Sequence, residues 1–162
     1  MVNPLLSLDE ELRIVVFDDC KTTIEFYRGK WAQEEYVRFL AFRQPQLDEH
    51  VAETLHRFYP NVIVSGLMQG DSIEQGFTLF GQLQEDPQLS QIPIVVVSKY
   101  VGVSECCNTP RRRELTSRVL DTPGVVAAFD KVPDFGPDLS ELVKLAGRYE
   151  LGDNPYRIVR DS

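Results

Sequence analysis

The run Pro60-Asn61-Val62-Ile63-Val64-Ser65-Gly66-Leu67-Met68 constrains the fold more than any other stretch of this chain. It is entered through a proline, left through a Gly-containing loop, continuously apolar in between, and too short for a helix. That pattern describes a strand covered on both faces in the middle of a parallel sheet. In a doubly wound α/β protein, chemistry gathers at the carboxyl end of such a strand. Here that end carries Ser65 and Gly66, with no carboxylate, thiol or histidine.

Four more runs of the same kind flank it. Leu12–Phe17 reads as the first strand, Tyr36–Phe42 as the second, Ile94–Ser98 as the fourth and Val125–Phe129 as the fifth. The intervening segments have helical spacing. Ile24, Tyr27 and Trp31 mark one helix; Leu47, Val51, Leu55 and Phe58 line a second; Phe77, Phe80 and Leu83 point a third inward, with Gly76 marking close packing or a late start. Residues 111–120 read as a short polar helix. The last helix opens on a capping box, Asp138 with Glu141, before Leu139, Leu142, Val143 and Leu145. Strands alternating with helices imply right-handed crossovers and helices on both faces of the sheet. The expected fold is therefore α/β, flavodoxin-like, a doubly wound five-stranded parallel sheet in the order 2-1-3-4-5, with its crevice at the ends of strands one and three. Residues 1–10 are expected to form an N-terminal arm, 11–150 one domain, and 151–162 a polar C-terminal tail.

Composition narrows the function. With 162 residues, nine Phe, six Tyr and one Trp, the chain can bury a core without a disulfide or metal staple. A formal charge of −8 argues against binding nucleic acid through phosphates. No membrane-spanning run and no signal peptide is visible. Three cysteines, with Cys106 and Cys107 adjacent, suit a reducing cytoplasm better than a disulfide scaffold. His50 and His56 are six apart, off one helical face, and read as surface residues rather than metal ligands.

In the expected topology the strand ends bring together Asp18, Asp19, Gly66, Ser98 and Lys131. Two carboxylates, a hydroxyl and an ammonium are the parts of a site for a divalent cation and a phosphoryl group. A more modest role also fits: an acidic pair at a strand end can cap the next helix, with Lys131 as its counter-ion.

At these residues the chain resembles a response-regulator receiver domain of the CheY-like kind, over roughly residues 12–148. The resemblance lies in Asp18-Asp19 within RIVVFDDC, in PNVIVSGLM, in GFTLFGQLQEDPQLSQIP, in Ser98 of IVVVSKY as the switch hydroxyl, and in Lys131 as the family's lysine. It implies that the Gly66 position is where the family's aspartate accepts a phosphoryl group from a partner kinase. Glycine has no side chain and cannot be a nucleophile. Mg²⁺ also loses one of its few protein carboxylates, leaving at most a low-affinity site at Asp18 and Asp19. Other departures point the same way. The loop from Gly66 to Gly76 is longer than the family pattern. Lys99 follows the switch hydroxyl, where a small residue is usual. Ala128 replaces the switch aromatic, with Phe129 one place on, and Val132 replaces the proline after the lysine. Lys99 is a candidate to neutralise Asp18 or Asp19 in place of a metal; a solvent-pointing Lys99 is the alternative.

The reading is thus a degenerate pseudo-receiver, not an enzyme and without a cofactor. It would act in signal transduction by phosphorylation-independent contact with a protein partner, a sensor kinase or an effector. The family's output surface implies Arg111, Arg112, Arg113, Arg118 and the last helix as the partner face, although a solvated helix face explains the arginines too. The short tail leaves no room for a DNA-binding output domain, so direct nucleic-acid contact is not expected; neither is membrane association, and a homodimer is compatible. Two alternatives stay open. One is phosphorylation on Asp71 or Ser65. The other is a phosphatase like the haloacid dehalogenases, which need Asp-x-Asp where this chain has Asp18-Asp19-Cys20.

Overall fold

The computed structural model describes residues 11–43, 46–67, 74–101, 109–131, 136–147 and 157–159, the last as backbone only. The strands are β1 (Leu12–Phe17), β2 (Val37–Phe42), β3 (Val62–Ser65), β4 (Ile94–Ser98), β5 (Val125–Asp130) and β6 (Arg157–Val159). The helices are α1 (Lys21–Trp31), α2 (Glu49–Phe58), α3 (Glu74–Glu85), α4 (Pro110–Leu120) and α5 (Leu139–Gly147). The sheet order is β2-β1-β3-β4-β5-β6, and the first five strands run parallel, as expected for a flavodoxin-like fold. The sixth strand was not expected. Arg157–Val159 lies antiparallel against β5, within the stretch that reads from sequence as a tail.

The alternation of side chains along each strand divides the core into two layers. Val15, Phe17, Ile63, Ile94 and Val96 face α2, α3 and α4, where Val51, Leu55, Leu79, Phe80, Leu83 and Val119 close over them. Ile14, Val16, Val62, Val64, Val95 and Val97 face α1 and α5, against Ile24, Tyr27, Trp31, Leu142 and Leu145. In α3 the inward residues are Gly76, Leu79, Phe80 and Leu83, whereas Phe77 sits at the rim with Arg118 stacked 3.7 Å over its ring. The pairing of β4 with β5 slips between Ile94 and Val95, so that Val95 lies opposite Ala127 rather than Val126. A bulge of this kind re-aims every side chain beyond it. Ala128 consequently faces the α4 side and Phe129 is buried on the α1–α5 side.

Local signals set the helix ends. Asp48 accepts from the Val51 N–H at 2.8 Å, and Thr109 accepts from Arg112 at 3.2 Å with Pro110 in the first turn of α4. The capping box at α5 forms: Asp138 accepts from the Glu141 N–H at 2.8 Å and Glu141 accepts from the Asp138 N–H at 3.3 Å. Gly76 is required by close approach, because a Cβ there would lie 2.1 Å from the Leu67 carbonyl oxygen. That contact brings α3 hard against the end of β3, beside the crevice.

Candidate functional site

The carboxyl ends of β1, β3, β4 and β5 surround a cleft of about 400 Å³ lined by Asp18, Asp19, Cys20, Gly66, Leu67, Val97, Ser98, Lys99, Tyr100 and Lys131. All the residues that the sequence places at this crevice, Asp18, Asp19, Gly66, Ser98, Lys99 and Lys131, therefore meet in it. Cys20 and Tyr100 join them; Cys20 follows the acidic pair directly, and that adjacency was the available signal.

β1 carries Asp18 into the floor, where it is 3% exposed. One carboxylate oxygen, Oδ1, accepts from the Cys20 N–H at 2.8 Å, which holds the first turn of α1 in place of a side-chain cap from Cys20 itself. The other, Oδ2, accepts from the Lys131 ammonium at 3.3 Å. Burial pushes the Asp18 carboxyl above its ordinary range, against the pull of Lys131 and the Cys20 N–H, with the neighbouring Asp19 adding to the rise. Asp19 is exposed, and its carbonyl accepts from the Arg43 guanidinium at 3.2 and 3.3 Å. Cys20 is an exposed free thiol, and hydrogen bonding from Thr23 holds it below the usual thiol range.

Gly66 continues the β3 ladder, donating its N–H to the Phe17 carbonyl at 2.9 Å. Ser65 is fully buried, and its hydroxyl donates to the Gly66 carbonyl at 2.8 Å. Ser98 is buried at the end of β4; its hydroxyl accepts from the Tyr100 N–H at 3.1 Å, and its carbonyl accepts from the Lys131 N–H at 3.3 Å. The ammonium of Lys99 lies on the exposed side, 5.3 Å from the centre of the Tyr100 ring. The cation that holds Asp18 is thus Lys131, and Lys99 takes the solvent-side alternative.

The arginines of α4 need a sharper correction. Arg112 is 7% exposed and belongs to the interior, not to a partner surface. Its guanidinium meets Asp130 Oδ2 at 2.5 Å and donates to the Val101 carbonyl at 2.6 and 3.2 Å. Asp130 is itself buried, one residue before Lys131. The pair fastens the start of α4 to the strand end that also carries the cleft lysine. Arg118 is exposed but engaged, donating to both carboxylate oxygens of Glu74 at 2.7 and 2.8 Å. Arg111 and Arg113 are exposed.

The donor set does not suit Mg²⁺. Each oxygen of Asp18 already accepts a hydrogen bond, Asp19 is the other carboxylate on the cleft wall, and Gly66 supplies nothing. Among the described residues, no group of three or more His, Cys, Asp or Glu is placed to hold a metal ion. Asp71, Cys106, Cys107 and Val132 lie outside the described residues.

No protein-family model and no curated protein matches the sequence. Solved structures do. RcsB from Salmonella enterica serovar Typhimurium, bound to a promoter in the presence of the phosphomimetic BeF3−, matches over 86% of this chain and 61% of its own at 18% identity, with a TM-score of 0.59. A response regulator from Desulfuromonas acetoxidans matches over 81% and 89% at 15% identity and a TM-score of 0.52. The Mn²⁺-bound form of the response regulator Rcp1 matches over 85% and 90% at 14% identity and a TM-score of 0.50. The chain spans 44% and 61% of two of the RcsB chains that it matches. The fold is that of response-regulator receiver domains. Among the described residues, no helix is long and apolar enough to cross a membrane.

Proposed function

We propose that this chain is a pseudo-receiver, a signalling module that binds a protein partner without being phosphorylated and without catalysing a reaction. The observation that carries the reading is Gly66 at the carboxyl end of β3, in a cleft that also gathers Asp18, Asp19, Ser98 and Lys131. A phosphoryl group attached to an enzyme or receiver needs a side-chain nucleophile, and none projects from this position. Ser65 does not substitute for it, since its hydroxyl is buried and committed to the Gly66 carbonyl. Lys131 neutralises Asp18 from within the chain, the task a divalent cation would otherwise perform. The buried Arg112–Asp130 pair supports a fixed α4 and hence a permanently displayed surface around α4, β5 and α5. Exposed Arg111 and Arg113 suit an acidic partner on that surface. A cytoplasmic setting fits the exposed thiol of Cys20.

The test is a gain of function. Gly66→Asp, incubated with acetyl phosphate and Mg²⁺, is expected to acquire an acid-stable, base-labile phosphoryl adduct that the parent chain lacks. Equal labelling of both proteins would contradict the reading and point to another acceptor. Turnover of a generic phosphate ester by the parent would favour a phosphatase instead.

A further inference from the structure

β2 ends the sheet on the side away from β5. It pairs with β1 without a slip, from Val37 opposite Leu12 to Phe42 opposite Phe17. The Tyr36 and Phe42 carbonyls accept from the Leu12 and Asp18 N–H groups at 2.8 and 3.1 Å, so the alternation along the strand turns Arg38 and Leu40 toward β1 as well. Phe39 and Ala41 consequently turn their N–H and C=O groups outward, and among the described residues nothing bonds to them. Sheet edges are ordinarily blunted by proline, lysine, a bulge or a covering segment. Among the described residues this edge has none of these. Its sequence is VRFLAF, Arg38 is its one charge, and Phe39, Leu40, Ala41 and Phe42 stay partly exposed.

We infer that β2 is a self-association edge: a second copy of this chain pairs its own β2 with it, antiparallel about a two-fold axis at Leu40, and joins the two sheets into one. An occupant must match the outward donors and acceptors in spacing, and a two-fold axis does so with the row itself. Phe39 of each copy then exchanges both backbone bonds with Ala41 of the other. The side chains fit the same register. On the α1 face the Phe39 ring, with Arg28 4.9 Å from its centre, lies against the methyl of Ala41 rather than against a second ring. On the opposite face Leu40 meets Leu40, and Arg38, exposed and bonded to Glu11 at 3.2 Å, meets the Phe42 ring. Charge favours it as well. Arg43 of each copy comes opposite Val37 of the other, beside the acidic turn Glu34-Glu35, so two molecules of net charge −8 meet where opposite charges face each other. An edge of this length makes a small interface, and dimerisation in the micromolar range is expected. The sheet order puts β5 of both copies at the far ends of the joined sheet, which leaves each α4 surface open to a partner.

Sedimentation equilibrium of the full chain across the micromolar range tests this, with a thiol reductant present because Cys20 is exposed. The average mass of the parent is expected to rise with concentration from 18.5 kDa toward twice that value. Ala41→Pro keeps the bonds to β1 and removes an outward donor, and should weaken dimerisation about tenfold with the circular dichroism spectrum unchanged. Cross-linking reads the register. The axis makes position 40 of the two copies a directly opposed, non-hydrogen-bonded pair, so Leu40→Cys should join to its own counterpart on mild oxidation, as read by peptide mapping. Arg38→Cys should not, since its counterpart lies beyond disulfide reach. A parent that stays at 18.5 kDa would overturn the inference, and so would a dimer that folded Ala41→Pro leaves intact. Joining at position 38 in place of 40 would overturn it too. Should Ala41→Pro fail to fold, absence of the position-40 link is the overturning result. Dimerisation that begins only when residues 1–10 are removed would also overturn it, by making that arm the occupant. Phosphoryl labelling of the parent would sink the pseudo-receiver reading and leave these results standing.

Discussion

At Asp18 two opposing effects meet on one carboxylate. Burial favours the neutral acid, and Lys131 with the Cys20 N–H favours the ion. The net rise means that ionised Asp18 weakens the fold, and that the fold gains as pH falls through the folded-state pKa. Removing the ammonium should enlarge this effect. Lys131→Met is expected to cost roughly 1–3 kcal/mol at neutral pH and to recover most of it on acidification, as read by denaturant unfolding across pH. A loss that does not depend on pH would show that Lys131 acts by packing alone. Arg112 poses a sterner case, because its partner Asp130 is buried with it. Arg112→Met should cost about 3–5 kcal/mol, since it strands a carboxylate away from water. The sequence separates Arg112 from Arg111 and Arg113 only by helical spacing, which puts it on one face with Leu115 and Val119. Burial of the middle arginine is decided by Asp130, which belongs to a different element and reads from sequence only as the residue before Lys131.

Elements were legible where the chain's own pattern settled them. Each of the first five strands is an apolar run, and α5 announces itself through Asp138 and Glu141. β6 was not legible, because Arg157-Ile158-Val159 is too short to show a period and exists by pairing with β5. The bulge opposite Ile94 and Val95 was equally hidden, since it adds a residue without changing composition. Gly76 is a case where two readings were open and packing chose between them. Gly76→Ala should destabilise by about 1–3 kcal/mol in thermal or denaturant unfolding, because the new methyl meets backbone that cannot rotate away. Another link between elements runs from α2 to the turn after α3. His56 bonds Asp86 at 2.6 Å and Gln88 at 3.0 Å, rather than standing free on the surface. The bond to Asp86 raises the His56 pKa. Burial acts to raise that of Asp86, but bonds from Leu89, His56 and Gln88 outweigh it and lower it. The histidine contribution is complete below its unfolded pKa and disappears as pH rises through the folded one. The aspartate contribution is present above its unfolded pKa and disappears as pH falls through the folded one. The melting-temperature difference between parent and His56→Gln should therefore peak between about pH 4 and pH 6.5 and shrink on either side.

For the whole molecule, the layers and the crevice follow from five parallel strands, of which β2 is a half-exposed edge, while the proposed function turns on what β3 carries at its end. The cleft gathers Asp18, Asp19, Ser98 and Lys131, with Gly66 at the end of β3. Sequence reading reached that cleft because each of its residues follows an apolar run. It did not reach the closure of the β5 edge or the internal tie on α4, because both depend on residues distant along the chain. The most direct measurement is the intact mass of the parent protein after exposure to acetyl phosphate with Mg²⁺, followed by peptide mapping. An unchanged mass is the predicted result; a stable phosphoryl adduct mapping within residues 61–76 would contradict the account.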